Sequence, residues 1–337
     1  MKRAGSALEA KAAGEMRAIQ FDRLGGPEVI ELRDVARPEV TPGTVVVRNR
    51  VIAVNFGDLF FLSGRYLVKP VFPDTPGMEA AGVIEAVASD VQGLTPGMRV
   101  AYIGLGAFAE WTRIRASRVI PLPDDMDLEQ GAAFPIAVLT AWHLLHTCHQ
   151  TAAGQVVLVH SAAGGVGIAA VQIAKAAGAR VLGTVSSAEK VDLVRSLGAD
   201  HVIDYASDDF ADEAMRLTDG RGVDLILDAV GKPTVEKDLT CLAPFGHLIL
   251  YGSAGGAADP IDPIRLFERS LKISGFVVPM VYGMKEIHRR ALVEVFRLAR
   301  EGKLTVPIGG KFALDEAADA LRFLQSRRST GKLLLIP

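Results

Sequence analysis

Cysteine is scarce: Cys148 and Cys241 are the only two in 337 residues. Two thiols build neither a disulfide framework nor a multi-cysteine zinc lobe. Without a signal peptide they read as buried free thiols in a reducing cytoplasm. An excess of one charge is lacking too, with 37 Lys and Arg against 39 Asp and Glu. A net charge of −2 gives no electrostatic case for nucleic acid or an anionic membrane as partner. No apolar run approaches the ~20 residues of a membrane span. Residues 1–15 contain no aromatic side chain and no apolar stretch of the signal-peptide kind. They are expected to be a disordered leader, with a short amphipathic helix as the alternative, and Met16 reads like a natural beginning. No internal repeat is found, and no low-complexity linker follows the leader.

The rest is long enough for two domains with large cores. From Met16 to about Ala116 the pattern is β-like. Residues 17–21, 29–32, 44–54, 80–88, 99–103 and 107–114 are candidate strands with frequent turns, which suggests a compact barrel-like domain. Asn55 to Leu62 has room for one or two helical turns, and Asp127 to His146 reads as one helix. From Gln155 the character changes. Strand-like runs at 156–160, 180–185, 201–203, 223–228, 246–251 and 271–274 alternate with helical stretches. That alternation predicts an α/β fold with a doubly wound parallel sheet, a Rossmann domain. A helix over 285–301 and a strand–helix–strand over 310–337 then lead back to the first domain.

The run Val156 to Val159 is wholly apolar and ends in a glycine-rich turn, Ser161-Ala-Ala-Gly-Gly-Val-Gly167. The spacing Ala162-x-Gly164-x-x-Gly167 is the dinucleotide-binding pattern with alanine in its first place. Gly164 lets a pyrophosphate approach the backbone, and Gly167 lets the helix pack close to its strand. An acid ~20 residues further on holds the ribose 2′-hydroxyl in NAD-binding units. Ser186 stands at that position, with Glu189 and Lys190 just beyond. A hydroxyl and a cation suit a 2′-phosphate, which a carboxylate would repel, so NADPH is favoured over NADH. The other reading of Lys190 is a solvated helix residue. His143, His146 and His149 share a helix face in pairs. They read either as metal ligands with Cys148 or as exposed imidazoles favoured by a helix C-terminus.

With these residues in hand, the chain from Met16 to Pro337 resembles the zinc-independent quinone oxidoreductases, a branch of the medium-chain dehydrogenase/reductase superfamily. The segments that carry the resemblance are Asn55-Phe-Gly-Asp58, Pro76-Gly-Met-Glu-Ala-Ala-Gly82, Leu139-Thr-Ala-Trp142, Ala162-Ala-Gly-Gly-Val-Gly167, Gly198-Ala-Asp-His-Val-Ile-Asp-Tyr205, Gly222-Val-Asp-Leu-Ile-Leu-Asp228 and Thr330-Gly-Lys-Leu-Leu-Leu335. The resemblance implies a GroES-like barrel domain from 16–137 and 283–337, an NADPH-binding Rossmann domain from 138–282, and a homodimer. It also implies hydride transfer from NADPH to a quinone, enone or enal. An enoyl thioester reductase and a non-catalytic NADPH-binding protein are the alternatives. Zinc-dependent relatives have cysteine in place of Asn55 and histidine in place of Met78, so no metal is expected.

Residue by residue, the resemblance places Asn55 near the nicotinamide and the substrate oxygen, with helix capping as its other reading. Asp58 supports the site. Tyr66 stands at the mouth of a cleft, or else is a half-buried aromatic. Phe60 replaces a tyrosine of many relatives, and Ala137-Val138 replaces their Gln-Gly. Thr140 lies beside the carboxamide, and Ala163, Gly164, Gly165, Val166 and Gly167 line the pyrophosphate. Ser186, Lys190 and Arg327 receive the 2′-phosphate and Tyr205 stacks on the adenine. Tyr251 completes the cofactor set.

Overall fold

A computed structural model describes residues 14–337; most of the expected leader, residues 1–13, lies outside them. The leader's last residue, Glu15, belongs to the first strand instead. The strands of the first part are β1 (Glu15–Gln20), β2 (Glu31–Ala36), β3 (Thr44–Val54), β4 (Glu79–Val87), β5 (Arg99–Ile103), β6 (Trp111–Arg115) and β7 (Val119–Pro121), with helix α1 (Phe56–Leu62) between β3 and β4. Next come α2 (Leu128–Ala133) and α3 (Pro135–His143), continued by a π turn, Leu144–Cys148. The second part runs β8 (Val156–Val159), α4 (Gly165–Ala176), β9 (Arg180–Val185), α5 (Val191–Ser196), β10 (His201–Asp204), α6 (Phe210–Leu217), β11 (Val223–Asp228), α7 (Val235–Cys241), β12 (Leu242–Leu250), α8 (Ile264–Phe267), β13 (Lys272–Gly275) and α9 (Lys285–Arg300). The chain ends with β14 (Ile308–Ala313), α10 (Ala317–Gln325) and β15 (Lys332–Ile336).

Contacts divide the chain into two units. Among the described residues one holds 14–132, 311–322 and 334–337; the other holds 133–310 and 323–333. Residues 283–310, expected in the return segment, therefore group with the nucleotide unit. The first unit is built on a sheet of order β14-β15-β3-β4-β5-β7, with β6 also on β3. The strand expected over 107–114 begins only at Trp111. Its first residues are a loop because the buried Asn49 amide takes the Ala107 and Ala109 carbonyls at 3.2 and 2.8 Å. Tyr102 in turn donates to Asn49 Oδ1 at 3.0 Å, so this polar core group is satisfied. Of the strand expected over 29–32, Glu31 and Leu32 begin β2, while Val29 ends a 3-10 turn that Pro27 opens, Pro27–Val29.

The second unit has the parallel order β10-β9-β8-β11-β12-β13. Its first strand, β8, is buried along its whole length. Helices on both faces of the sheet demand that, and so the run is unbroken apolar. The order reverses between β8 and its neighbours β9 and β11, which places the switch point at the end of β8. The helix expected over 127–146 is broken at Pro135, which has no N–H to give and opens α3 instead. Among the described residues no helix is long and apolar enough to cross a membrane.

Candidate functional site

The glycine turn leaves β8 through Ser161, whose φ is +52°. The Ser161 carbonyl accepts the Gly164 N–H at 2.9 Å, and Gly164 caps α4 in extended conformation. A Cβ on Gly167 would stand 2.3 Å from Ser161 O and 2.7 Å from Ala162 Cα. No L side chain fits there, so glycine is required for the helix to lie this close. A Cβ on Gly164 would meet only Ser161 O, at 3.2 Å. That glycine leaves open the space beside the first amides of α4, where Gly165, Val166 and Gly167 present the N–H groups an anion meets. The alanine in the motif's first place is explained by β9. A Cβ on Gly183 would lie 2.9 Å from the Ala162 methyl, so the space lost at Ala162 is recovered at Gly183.

The C-terminal segment meets this turn. The Gly331 N–H donates to Ala163 O at 2.9 Å. Lys332 is 3% exposed and packs so near Gly165 that a Cβ there would touch its Cδ at 2.9 Å. Arg327, exposed and with φ +60°, carries the carbonyl that accepts from Lys190 Nζ. Lys190 is 9% exposed, which rules out the solvated reading. Burial pulls its pKa down, and Glu189 works against that. Ser186 lies half-buried between β9 and Lys190. Tyr205 follows β10 with its N–H on Val185 O at 3.1 Å, and its ring is exposed. Tyr251 follows β12; burial, then the Asp228 charge, pushes its phenol up. Thr140 is buried on α3.

In the other unit, Asn55 and Asp58 cap α1 reciprocally: the Asn55 side chain accepts the Asp58 main-chain N–H, as the capping reading of Asn55 expects, and Asp58 returns the contact. Its Oδ2 accepts the Asn55 main-chain N–H at 2.7 Å. The Asn55 side chain has a second partner: its Nδ2 donates to Glu79 Oε1 at 2.9 Å. Glu79 is fully buried, so the pair ties the start of α1 to the start of β4 and fixes the amide. Gly57, Met78 and Tyr66 meet beside it, since a Cβ on Gly57 would lie 2.9 Å from Met78 Sδ and 3.6 Å from the Tyr66 ring. Burial, then the Asp58 charge, raises the Tyr66 phenol above its ordinary pKa. Phe60 packs edge-on to Phe56 at 5.4 Å and under the Arg65 guanidinium at 5.0 Å. The sequence places Glu79 beside Met78 in Pro76–Gly82 but carries no signal of its contact with Asn55, 24 residues away.

Comparison with known proteins decides the family. Residues 41–124 match the alcohol dehydrogenase GroES-like domain, and residues 165–293 match the zinc-binding dehydrogenase domain. A quinone oxidoreductase of Pseudomonas aeruginosa is 41% identical over 95% of this chain and 99% of its own. The Escherichia coli quinone oxidoreductase complexed with NADPH superposes with a TM-score of 0.92 at 33% identity, over 95% of this chain and 100% of that one. The chain belongs to the quinone oxidoreductase branch of the medium-chain dehydrogenase/reductase superfamily. It is an oxidoreductase with a Rossmann unit and a GroES-like unit. A 2-haloacrylate reductase of Burkholderia is also similar, 36% identical over 95% of this chain and 98% of its own.

The superfamily raises the question of zinc. At the positions in question this chain offers an amide, Asn55, and a thioether, Met78, and the adjacent Glu79 is bonded to Asn55. This is a poor donor set for zinc, which takes thiolate, imidazole and carboxylate. Among the described residues no three His, Cys, Asp or Glu side chains are grouped to hold a metal. The histidines expected to be exposed are not. His143 is fully buried, its Nδ1 is 2.9 Å from Thr147 Oγ1, and burial, then the charge of His288, lowers its pKa to about 4. His149 turns to His247, with the two Nδ1 atoms 3.4 Å apart. Both cysteines are free, Cys241 buried and Cys148 half-buried.

Proposed function

We propose that this oxidoreductase uses NADPH to reduce quinones. The observation that carries the choice of cofactor is Lys190, buried beside Arg327 and four residues beyond Ser186, which stands where an NAD-specific unit has its acid. The turn at Gly164–Gly167 fits a pyrophosphate for the reasons of space given above. Bound there, NADPH supplies a hydride, and the protein supplies orientation and electrostatics. Replacing Lys190 with Ala should weaken NADPH binding by about tenfold or more and leave NADH nearly untouched, because one charge-assisted contact to the 2′-phosphate is lost. Fluorescence titration with both cofactors checks this. Equal losses for the two would count against the 2′-phosphate role.

Asn55 is the residue we assign to the acceptor. Its amide, held by Glu79, donates to an oxygen that gains negative charge as hydride arrives. Asn55→Ala also removes one half of the α1 cap, at about 1 kcal/mol, while Asp58 keeps the other half, so the protein still folds. We expect kcat to fall by about 10²-fold with NADPH affinity retained. Turnover of 1,4-benzoquinone or 9,10-phenanthrenequinone, followed by NADPH absorbance, tests the whole reading; a folded, NADPH-binding protein that reduces neither would sink it.

The second reading is reduction of an α,β-unsaturated carbonyl, enoyl thioesters included. It is favoured by the likeness to 2-haloacrylate reductase and by a mycobacterial polyketide synthase subunit that is 34% identical over 94% of this chain, which spans 14% of that longer protein. Rates on 2-chloroacrylate and crotonyl-CoA beside those on quinones separate the two. We also read the protein as a cytoplasmic homodimer. β13 is an edge strand, and Phe267, just before it, is 76% exposed. Sedimentation at micromolar concentration checks the dimer.

A further inference from the structure

The nucleotide unit buries a polar chain that none of the roles above uses. His160 is the first residue after β8, directly before the strained Ser161. It is 1% exposed. Its Nε2 is 2.7 Å from Asp238 Oδ1 on α7, and its Nδ1 is 3.0 Å from Thr184 Oγ1 on β9. The ring edge packs on Phe210 at 4.7 Å. Asp228, at the end of β11, interacts with Asp238 and accepts the Thr234 hydroxyl at 2.8 Å and the Gly231 N–H at 3.2 Å. Asp228 and Asp238 are both fully buried.

Such a chain is expensive. Buried charges and polar groups cost free energy even when paired, and apolar residues of similar volume would fill the place more stably. The four residues of β8 just before His160 are all apolar and buried, so the position alone does not require a histidine. What the chain provides is geometry. The ring joins the end of β8 to β9 and to α7, and Asp238 carries the join on to Asp228 at the end of β11, the strands flanking the switch point. The main chain repeats the join: His160 N–H donates to Leu227 O, and Ala162 N–H to Thr184 O, both at 3.0 Å. Between those two anchors sits Ser161 in a left-handed conformation, which a non-glycine residue keeps only where its surroundings impose it. The Ser161 carbonyl is the atom against which Gly164 and Gly167 are placed. Burial pulls the His160 pKa down, but the Asp238 carboxylate and its hydrogen bond more than offset this and leave it raised. The Asp238 carboxylate at Nε2 and the Thr184 hydroxyl at Nδ1 hold the ring from both sides.

We propose that His160, held by Thr184 and Asp238, is a positioning residue that sets the shape of the turn receiving the dinucleotide's pyrophosphate. The proposal rests on the NADPH reading above. It predicts a loss common to NADPH and NADH, since both carry the pyrophosphate, unlike the NADPH-selective loss expected at Lys190.

The test uses Thr184→Val, which keeps the volume and removes one contact, together with Asp238→Asn and His160→Gln. Dissociation constants for both cofactors are measured by fluorescence on variants whose thermal midpoints are recorded alongside. Thr184→Val should weaken NADPH and NADH alike, by about tenfold, with kcat at saturating cofactor changed far less. His160→Gln, which retains a donor, should lose less affinity than His160→Leu if the latter folds. Variants that melt earlier yet bind both cofactors like wild type would overturn the proposal and leave the chain a core feature only. Wild-type protein that binds neither cofactor would instead sink the NADPH reading, and the proposal with it.

Discussion

Gly167→Ala is expected to abolish cofactor binding and to lower the melting temperature, whereas Gly164→Ala should abolish binding with little change in stability. The two glycines lie in one turn, yet the space around them differs. At position 167 a methyl group would stand 2.3 Å from Ser161 O, 2.7 Å from Ala162 Cα and 2.9 Å from Ala162 C. All three are backbone atoms, so no rotamer change relieves the clash and α4 has to back away from β8. Overpacking of this kind costs about 1–3 kcal/mol, and more where backbone must move. The displaced helix also carries its first-turn amides out of place. At position 164 the same methyl would meet only Ser161 O at 3.2 Å, and φ there is −84°, ordinary for alanine. The apoprotein tolerates it, but the methyl occupies the approach that a pyrophosphate needs. Thermal melts and NADPH titrations of the two variants check this. Gly164→Ala protein that binds NADPH like wild type would show that the turn is a packing device and not a phosphate site.

The same turn shows how far the sequence could be read. Its strand, glycines and helix are local, and local patterns were legible: the expected parallel strands all appear within a few residues of their bounds. Features that depend on distant partners were not. The alanine at 162 makes sense only with Gly183 on the next strand. The loop at 107–110 runs straight into a true strand and carries no break of its own, while the amide that holds it open belongs to Asn49. Pro135 is the one error with a visible signal, since proline inside a helical pattern marks a break. At the candidate reductase site the capping of α1 by Asn55 and Asp58 is local and legible, but the second contact of the Asn55 amide is not. That turns on Glu79, 24 residues away, and on a buried carboxylate's need for a donor. His143 was misjudged for the same reason. A histidine near a helix end is either exposed and charged or buried and neutral, and only its neighbours decide.

That burial has a consequence for stability against acid. The pKa values of His143 and His247 are both lowered to about 4, mainly by burial, and His146 and His149 are lowered in the same way. In the unfolded chain each imidazole takes its proton near pH 6.5. Between pH 6.5 and 4 the unfolded state therefore binds more protons than the folded one, and stability falls as pH falls. For His143 and His247 the loss between pH 7 and pH 5 is about 2 kcal/mol each by that linkage. Asp238 acts in the opposite sense. Burial lifts it to about 6 against an unfolded value of 3.8, so over the same range it binds protons in the folded state and returns about 1 kcal/mol. His160, also raised, contributes stability that is full below pH 6.5 and lost as pH rises through its folded pKa. The lowered imidazoles outnumber these two, so the net expectation is a loss of about 2–3 kcal/mol on going from pH 7 to pH 5. Urea midpoints at the two pH values measure it, with fluorescence of Trp142 as the probe, its ring being 5.2 Å from His143. A midpoint that holds steady or rises at pH 5 would contradict the buried, neutral state of these histidines. His143→Phe, which fills the site without a titrating group, should remove about 2 kcal/mol of this pH dependence, most of the net, because one of the two large contributions goes with it.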